Sequence, residues 1–130
     1  NAKTTNSPTV NIWGSGNQRR EFLYVEDMAK ASIFINNIDP KVYQETTNTM
    51  LSHINIGTGQ DITIRELAES IKKIINYKGD LVFDNSKPDG PPRKLLNISK
   101  LKSLGWSPSI SLKEGLELSY KDYVKNHLER

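Results

Sequence analysis

The sequence predicts an α/β domain, because strand-like and helix-like patterns alternate along it. Residues 51 to 56 alternate apolar and polar side chains with a period of two, which is typical of a half-buried strand. A helical pattern follows from residue 64, and residues 81 to 83 are short, apolar and strand-like. A crossover helix returns the chain in the same direction, so the strands at residues 51–56 and 81–83 are predicted to be parallel neighbours.

Length and composition restrict the class of protein. The 130 residues suit one domain, and no apolar run approaches the roughly 20 residues that a membrane helix needs. Cysteine is absent, which excludes disulfides and thiolate metal sites and by default favours a reducing, cytoplasmic location. Eighteen basic residues against 15 acidic ones give a net charge of +3, a mild preference for anions that is far from a histone-like balance.

The two ends are expected to differ from the rest of the chain. Residues 1–8 are polar and aperiodic, so we interpret them as a linker or an expression scar, and residues 9–130 as the domain. With neither an initiator Met nor a signal peptide, the sequence is expected to be a piece of a longer protein. Its last residues are expected to fray.

The first predicted elements surround a glycine turn. Val10 and Ile12 predict a first strand, residues 14–17 a turn, and residues 21–25 a second extended run. A helix should follow. Glu26 and Asp27 put negative charge on its first turn, and Met28, Ala31, Ser32 and Ile35 recur at helical spacing behind them.

The middle of the chain contains the clearest helix. Residues 36–50 lose periodicity and predict an irregular surface excursion, which Tyr43 could pin down, and residues 57–59 predict a tight turn. The capping box Thr63-x-x-Glu66 then opens a helix that residues 76–79 end. Its apolar stripe comprises Ile64, Leu67, Ala68, Ile71, Ile74 and Ile75.

The last third begins with a charged, proline-rich loop at residues 85–93. Ser99 is expected to cap a short helix that runs through Leu104. A second capping box, Ser111-x-x-Glu114, opens the final helix. Its inward residues should be Leu112, Leu116, Tyr120, Tyr123 and Val124.

The residues needed for several kinds of catalysis are not found in the sequence. Neither Gly14-Ser15-Gly16 nor the Gly-x-Gly of residues 57–59 has the third glycine of a dinucleotide fingerprint. No Tyr-x-x-x-Lys pair occurs, and His53 and His127 lie beside no candidate nucleophile or metal ligand. We therefore assign no catalytic, cofactor-binding or metal-binding residue to this chain.

Two basic pairs suggest a binding function. Arg20, with Arg19 before it, follows the glycine turn that carries Trp13, and Lys94, with Arg93 before it, follows Asp89 in the distant loop. Arginine can bind a pyrophosphate through two hydrogen bonds, and an indole can cover a base or a sugar. From spacing alone, the interpretation as a nucleotide site and the interpretation as two solvated basic loops have about equal weight. A nucleic-acid-binding module ranks lower, because acidic residues interrupt the patch.

Several motifs together resemble one family. Trp13-Gly-Ser-Gly, Arg20-Glu-Phe-Leu-Tyr-Val-Glu-Asp-Met-Ala, Leu51-Ser-His-Ile-Asn and Ser86-Lys-Pro-Asp-Gly resemble the C-terminal part of the GDP-L-fucose synthase family, within the extended short-chain dehydrogenases/reductases. The resemblance runs from about residue 10 to residue 123. The Arg-Glu-Phe motif alone indicates only an extended short-chain dehydrogenase/reductase that acts on nucleotide sugars. The Leu-Ser-His-Ile-Asn and Ser-Lys-Pro-Asp-Gly runs narrow the resemblance to the fucose synthase family.

The resemblance implies a function and a division of labour. Enzymes of this family convert GDP-4-keto-6-deoxy-D-mannose to GDP-L-fucose, and their N-terminal Rossmann domain binds NADP(H), holds the Ser-Tyr-Lys catalytic set and is expected to form the homodimer. This chain resembles the small α/β substrate-binding lobe, with short strands, several helices and no Rossmann domain, and it should be inactive alone. Its implied GDP-sugar contacts are Trp13, Arg20, Asp89 and Lys94, with Arg93 a weaker inclusion and Arg19 left to solvent. The alternatives are the lobe of another nucleotide-sugar epimerase or dehydratase, or a non-enzymatic nucleotide- or nucleic-acid-binding module.

Overall fold

Short strands and helices alternate in the computed structural model, which describes residues 1–128, so the α/β class is confirmed. The strands are β1 (Thr9–Trp13), β2 (Arg19–Glu21), β3 (Asp61–Thr63), β4 (Asp80–Asp84) and β5 (Arg93–Lys94). The helices are α1 (Val25–Asn36), α2 (Pro40–Thr46), α3 (Ile64–Ile74), α4 (Ser99–Ser103) and α5 (Leu112–Tyr123), followed by a π-helical segment at Val124–Leu128.

The strands form two small sheets. In the first, β1 runs parallel to β4, with Val10 opposite Leu81 and Trp13 opposite Asp84. In the second, β2 lies at the centre, antiparallel to β3 and parallel to β5. The first predicted strand and the strand at residues 81–83 are confirmed, whereas the second extended run begins two residues earlier than predicted and ends at Glu21.

The strand predicted at residues 51–56 is wrong, and so is its pairing with residues 81–83. Within this segment Leu51 forms one isolated bridge to Asn48, and β4 has β1 as its parallel neighbour instead. Period-two alternation identifies a chain that can form a strand, but a strand also needs a hydrogen-bonding neighbour. Tyr43 does pin this region, because its hydroxyl donates a hydrogen bond to the carbonyl oxygen of Ser52.

The irregular excursion predicted at residues 36–50 is also wrong, because α2 lies within it. Asp39 is the N-cap of this helix, and its Oδ1 accepts a hydrogen bond from Lys41 N at 2.7 Å. Pro40 occupies the first helical turn, where its missing N–H costs nothing. The helix has seven residues, about two turns, which is too short for apolar periodicity to reveal.

The capping predictions have three different outcomes. Both bonds of the capping box at α3 are present, with Thr63 Oγ1 accepting from Glu66 N and Glu66 Oε2 accepting from Thr63 N. At α5, Ser111 Oγ accepts from Glu114 N at 3.2 Å, which is half of the predicted box. Ser99 does not cap α4, because it is the first residue of that helix. The N-cap of α4 is Ile98, and its C-cap is Leu104.

Few side chains are fully buried. The buried apolar residues among those described are Ala31, Tyr77, Ile98 and Leu101. Tyr123, which is predicted to face inward, is instead exposed. No helix in the described part of the chain is long and apolar enough to cross a membrane. The predicted fraying concerns Glu129 and Arg130, which lie outside the described residues.

Candidate functional site

The centre of the candidate site is the pairing of β2 with β5. In this parallel pair Arg20 lies opposite Lys94, and Arg19 lies opposite Arg93. Successive side chains of a strand point to opposite faces, so Arg20 and Lys94 share one face and Arg19 and Arg93 share the other. The fold therefore brings together two cations that are 74 positions apart in sequence.

Arg20 and Lys94 keep their charge available. Arg20 Nη1 donates to the carbonyl oxygen of Arg19 at 2.7 Å, which fixes the side chain without neutralising it. The ion pairs formed among residues 1–128 include neither Arg20 nor Lys94. Two neighbouring cations without a carboxylate partner favour an anionic ligand.

The loop between β4 and β5 joins the two walls of the site. Asp89 accepts hydrogen bonds from Ser15 N at 2.8 Å and from Ser15 Oγ at 2.7 Å. One residue later, Gly90 lies beside Arg20, since a Cβ at Gly90 would be 3.2 Å from Arg20 Nη2. This loop therefore connects the turn after Trp13 with the Arg20 side chain. We name the four predicted contact residues, Trp13, Arg20, Asp89 and Lys94, the basic corner.

Trp13 presents its ring at the edge of the basic corner. It ends β1, and 75% of the residue is exposed. Lys87 Nζ lies 5.7 Å from its ring centroid, within the range of a cation–π contact. The next residue, Gly14, has a φ of 84°, and a Cβ there would collide with the Asp89 carboxylate. The turn after Trp13 therefore needs glycine.

Asp89 is both a predicted ligand contact and a structural residue. The hydrogen bonds from the hydroxyl and the amide of Ser15 hold the pKa of the Asp89 carboxyl below its usual range. The carboxylate is therefore ionised at neutral pH. Each oxygen accepts one hydrogen bond from Ser15, and the Gln18 side chain also contributes to the lowered pKa.

The other face of the second sheet carries an ion-pair network. Asp61 Oδ1 accepts from Arg19 Nε at 2.8 Å, and Asp61 Oδ2 accepts from Arg93 Nε at 2.5 Å. These bonds, with that to Arg93 the larger contribution, hold the pKa of the Asp61 carboxyl below its usual range. The prediction that Arg19 is left to solvent is wrong, because β3 supplies a carboxylate that the sequence does not place near it.

The two Gly-x-Gly turns do not fit the pyrophosphate of a dinucleotide. Glu21 Oε1 accepts from Thr58 N and Gly59 N, both at 2.6 Å, so a carboxylate already occupies the amides of that turn. In the other turn Asp89 occupies the amide of Ser15. A phosphate would have to displace a carboxylate at each turn and would be repelled by it.

A cavity of about 610 Å³ lies away from the basic corner. Its lining includes Arg19, Asp61 and Glu66 together with residues 108–112, and it contains none of the four residues of the corner. Arg19 is already paired with Asp61 and a second carboxylate is present, so this cavity does not suit a diphosphate. Arg20 and Lys94, which have no ion-pair partner within residues 1–128, make the basic corner the better candidate. No group of His, Asp and Glu side chains among residues 1–128 could hold a metal ion.

Sequence reasoning missed the carboxylates that support the site. Glu21 Oε2 also accepts from Leu96 N at 3.0 Å, which ties the segment after β5 to β2. Asp27 is 1% exposed and accepts from Ser109 N, Ser109 Oγ and Ile110 N, which ties α1 to the start of α5. Both residues belong to the run that begins with Arg20-Glu-Phe. An acidic residue within a half-buried segment needs a hydrogen-bonding partner, and this was the signal that could have revealed their structural role.

Comparisons with known proteins identify the relatives of this chain. It is 54% identical over 125 residues to GDP-L-fucose synthase of Escherichia coli K12, an alignment that covers 96% of this chain and 39% of that protein. It is 42% identical over 113 residues to GDP-L-colitose synthase of Yersinia pseudotuberculosis, covering 86% of this chain and 34% of that protein. The chain is homologous to the GDP-L-fucose synthases. The resemblance stated from its motifs is therefore confirmed.

Family and structural comparisons agree with this relationship. The NAD dependent epimerase/dehydratase family matches residues 1–57. A GDP-6-OMe-4-keto-L-xylo-heptose reductase from Campylobacter jejuni has a TM-score of 0.83 and 41% identity, over 92% of this chain and 34% of that one. A GDP-mannoheptose C4 reductase from the same organism, solved with NADP bound, has a TM-score of 0.75 and 42% identity, over 88% and 34% of the two chains.

The chain spans 39% of the length of the Escherichia coli GDP-L-fucose synthase and 34% of the length of the Yersinia GDP-L-colitose synthase. The comparisons therefore establish homology over nearly all of this chain and cover a minority of each relative.

Proposed function

We propose that residues 9–130 form the C-terminal nucleotide-sugar-binding domain of a GDP-L-fucose synthase, and that the basic corner binds the GDP-sugar. The observation that carries this proposal is the in-register pairing of Arg20 with Lys94, two cations without an ion-pair partner among the described residues. They lie beside an exposed indole in a chain that is 54% identical to a GDP-L-fucose synthase.

Each residue of the basic corner has a chemical role in this proposal. The planar guanidinium of Arg20 donates two hydrogen bonds to the diphosphate, and Lys94 adds a point charge beside it. Trp13 covers the base or the sugar with its exposed face. Asp89 holds the loop against Ser15 and accepts a hydrogen bond from a ribose hydroxyl with its remaining acceptor positions.

The chemical step belongs to another part of the full-length enzyme in this proposal. That enzyme epimerises GDP-4-keto-6-deoxy-D-mannose and reduces the ketone to give GDP-L-fucose, with NADP(H) supplying the hydride. The Gly-x-Gly turns of this chain are occupied by Glu21 and Asp89, which supports cofactor binding by an N-terminal Rossmann domain. The contribution of this chain is to bind and orient the nucleotide. Homodimerisation through the Rossmann domain and a cytoplasmic location stay predictions.

The surface of the chain supports its assignment to a larger protein. Large apolar side chains are exposed on α1 and after α2, including Val25 at 69%, Ile33 at 63% and Met50 at 89%. In this proposal these side chains contact the rest of the full-length enzyme.

Substitution of Arg20 tests the proposed site. In the full-length enzyme, Arg20→Ala should weaken GDP-sugar binding by about 1.5–3 kcal/mol, the range for hydrogen bonds to charged groups. Isothermal titration with GDP-L-fucose measures this loss, and Arg20→Lys should recover part of it because the charge remains. Lys78→Ala, which removes an exposed lysine outside the corner, is the control. An unchanged affinity in Arg20→Ala would contradict the assignment.

A second candidate is a synthase for another GDP-sugar, which the 42% identity to GDP-L-colitose synthase favours. A comparison of GDP, UDP and a short RNA as ligands separates the remaining alternatives. Binding that prefers GDP supports either GDP-sugar enzyme. Preference for UDP would indicate another nucleotide-sugar epimerase or dehydratase. RNA binding with a steep salt dependence and no response to GDP would indicate a nucleic-acid-binding module.

A further inference from the structure

The second sheet, which carries Arg20 and Lys94, consists of three short strands with limited backbone pairing. β2 and β3 have three residues each, and β5 has two. Beside this short pairing, the amide of Arg19 donates to the carbonyl oxygen of Pro92 at 2.8 Å, just before β5. Because there are so few backbone hydrogen bonds, side-chain contacts contribute much of what fixes the position of β5 and therefore of Lys94.

Arg19 and Arg93 oppose this arrangement when they are considered alone. They occupy facing positions of neighbouring parallel strands, on the side of the sheet opposite Lys94. Like charges directly opposite each other on neighbouring strands repel. The repulsion would push β5 away from β2.

Asp61 removes that repulsion from a third strand. Its side chain is 5% exposed, and its two oxygens bind one arginine each, so a single carboxylate spans from β3 across β2 to β5. The backbone carbonyl oxygen of Asp61 also accepts from Arg19 Nη2 at 3.1 Å. Asp61 thereby closes a three-strand clamp on the back of the basic corner.

We propose that Asp61 is a positioning residue for nucleotide-sugar binding, which holds Lys94 beside Arg20 by clamping Arg19 and Arg93 on the opposite face of the sheet. This inference rests on the proposed function and adds a residue that does not touch the ligand. Its signature is a change in substrate affinity without a change in the chemical step, since the catalytic groups lie elsewhere.

The test is steady-state kinetics of the full-length enzyme carrying Asp61→Asn. KM for the GDP-sugar should rise about tenfold, the loss expected when one charged partner of the ligand is displaced, while kcat stays within about twofold. Deuterium uptake of residues 90–96 should become faster in the same variant, because β5 is released. Asp80→Asn is the matched control, because the Asp80 side chain is 87% exposed and its contact with Lys72 is 3.9 Å long. In this control neither KM nor the deuterium uptake of residues 90–96 should change.

A double variant distinguishes repulsion from general loss of structure. Asp61→Asn combined with Arg93→Met removes one of the two like charges, so its KM should lie closer to that of the unmodified enzyme than the KM of Asp61→Asn does. A double variant equal to or worse than the single variant would overturn the clamp. A fall in kcat equal to the rise in KM, or unchanged uptake by residues 90–96, would also overturn it.

Lys94→Ala separates this inference from the proposed function. A raised KM in Lys94→Ala with an unchanged KM in Asp61→Asn rejects the positioning role and leaves the binding site intact. If Lys94→Ala and Arg20→Ala both leave KM unchanged, the proposed function itself is rejected.

Discussion

Single carboxylates hold distant parts of this chain together by binding backbone amides and guanidinium groups. Glu21 joins β2 to the turn at residues 57–59 and to Leu96, and Asp61 joins three strands. Asp27 joins α1 to the segment before α5 through three hydrogen bonds of 2.7 to 2.9 Å. An ionised carboxylate accepts such bonds more strongly than a neutral group, so Asp27 and Asp61, whose pKa values are lowered, also make stability depend on pH.

Asp27→Asn tests this dependence. Burial raises the pKa of the Asp27 carboxyl, but the hydrogen bonds from Ser109 and Ile110 outweigh it, and the pKa is lowered. The stabilisation is therefore present above the pKa of an unfolded aspartate, about 3.9, and is lost as pH falls through the lower folded value. Asp27→Asn should lower the free energy of unfolding by about 1–3 kcal/mol at pH 7 and flatten its decline below pH 5.

Urea denaturation of both proteins from pH 3 to pH 7 measures the effect. Glu26→Gln is the control, because Glu26 is the adjacent acidic residue of the same helical turn and its contact with Lys30 is exposed at 3.9 Å. Equal losses in Asp27→Asn and Glu26→Gln would contradict the role assigned to Asp27.

At the level of elements, helix starts are encoded locally and strand partners are not. Both bonds of the box at α3 join residues three apart, so the sequence contains the whole interaction. The cap of α2 is equally local, and Asp39-Pro40 could have revealed it. By contrast, β1 finds β4 some 70 positions away, and residues 51–56 have the pattern of a strand without a ladder.

Thr63→Ala tests the local stabilisation of α3. The substitution removes the hydroxyl that accepts from Glu66 N and should lower the free energy of unfolding by about 0.5–2 kcal/mol. Thermal denaturation followed by circular dichroism measures the change, and Thr63→Ser should restore most of it. Thr46→Ala is the control, since Thr46 Oγ1 bonds within α2 and caps nothing. A melting temperature that Thr63→Ala leaves unchanged would show that the box does not stabilise the fold.

For the whole molecule, the balance between buried and exposed apolar side chains matters most. Four apolar residues are buried among those described, while Val25, Ile33, Met50 and other large ones are exposed. A chain of 130 residues is long enough to bury a larger core than this. The exposed surface agrees with the proposal that the chain acts as part of a larger enzyme.

The proposal predicts that the 130-residue chain has no reductase activity of its own. Purified chain mixed with NADPH and GDP-4-keto-6-deoxy-D-mannose should show no substrate-dependent loss of absorbance at the nicotinamide band, because the catalytic set and the cofactor site are assigned to the Rossmann domain. The full-length enzyme under the same conditions is the positive control. Keto-sugar-dependent oxidation of NADPH by the chain alone would refute this division of labour.

Patterns in the sequence were enough to predict the α/β class, the starts of α3 and α5, the glycine turn after Trp13 and the four residues of the basic corner as candidates. Those features depend on neighbours a few positions apart, or on motifs that could be matched as written. Three features could be seen only in the folded chain: Lys94 lies opposite Arg20, Arg19 turns to the other face and binds Asp61, and β4 pairs with β1 and not with residues 51–56. Strand pairing and ion pairing join residues that are far apart along the chain, and the energy of such contacts depends on distance in space, which a linear pattern does not contain.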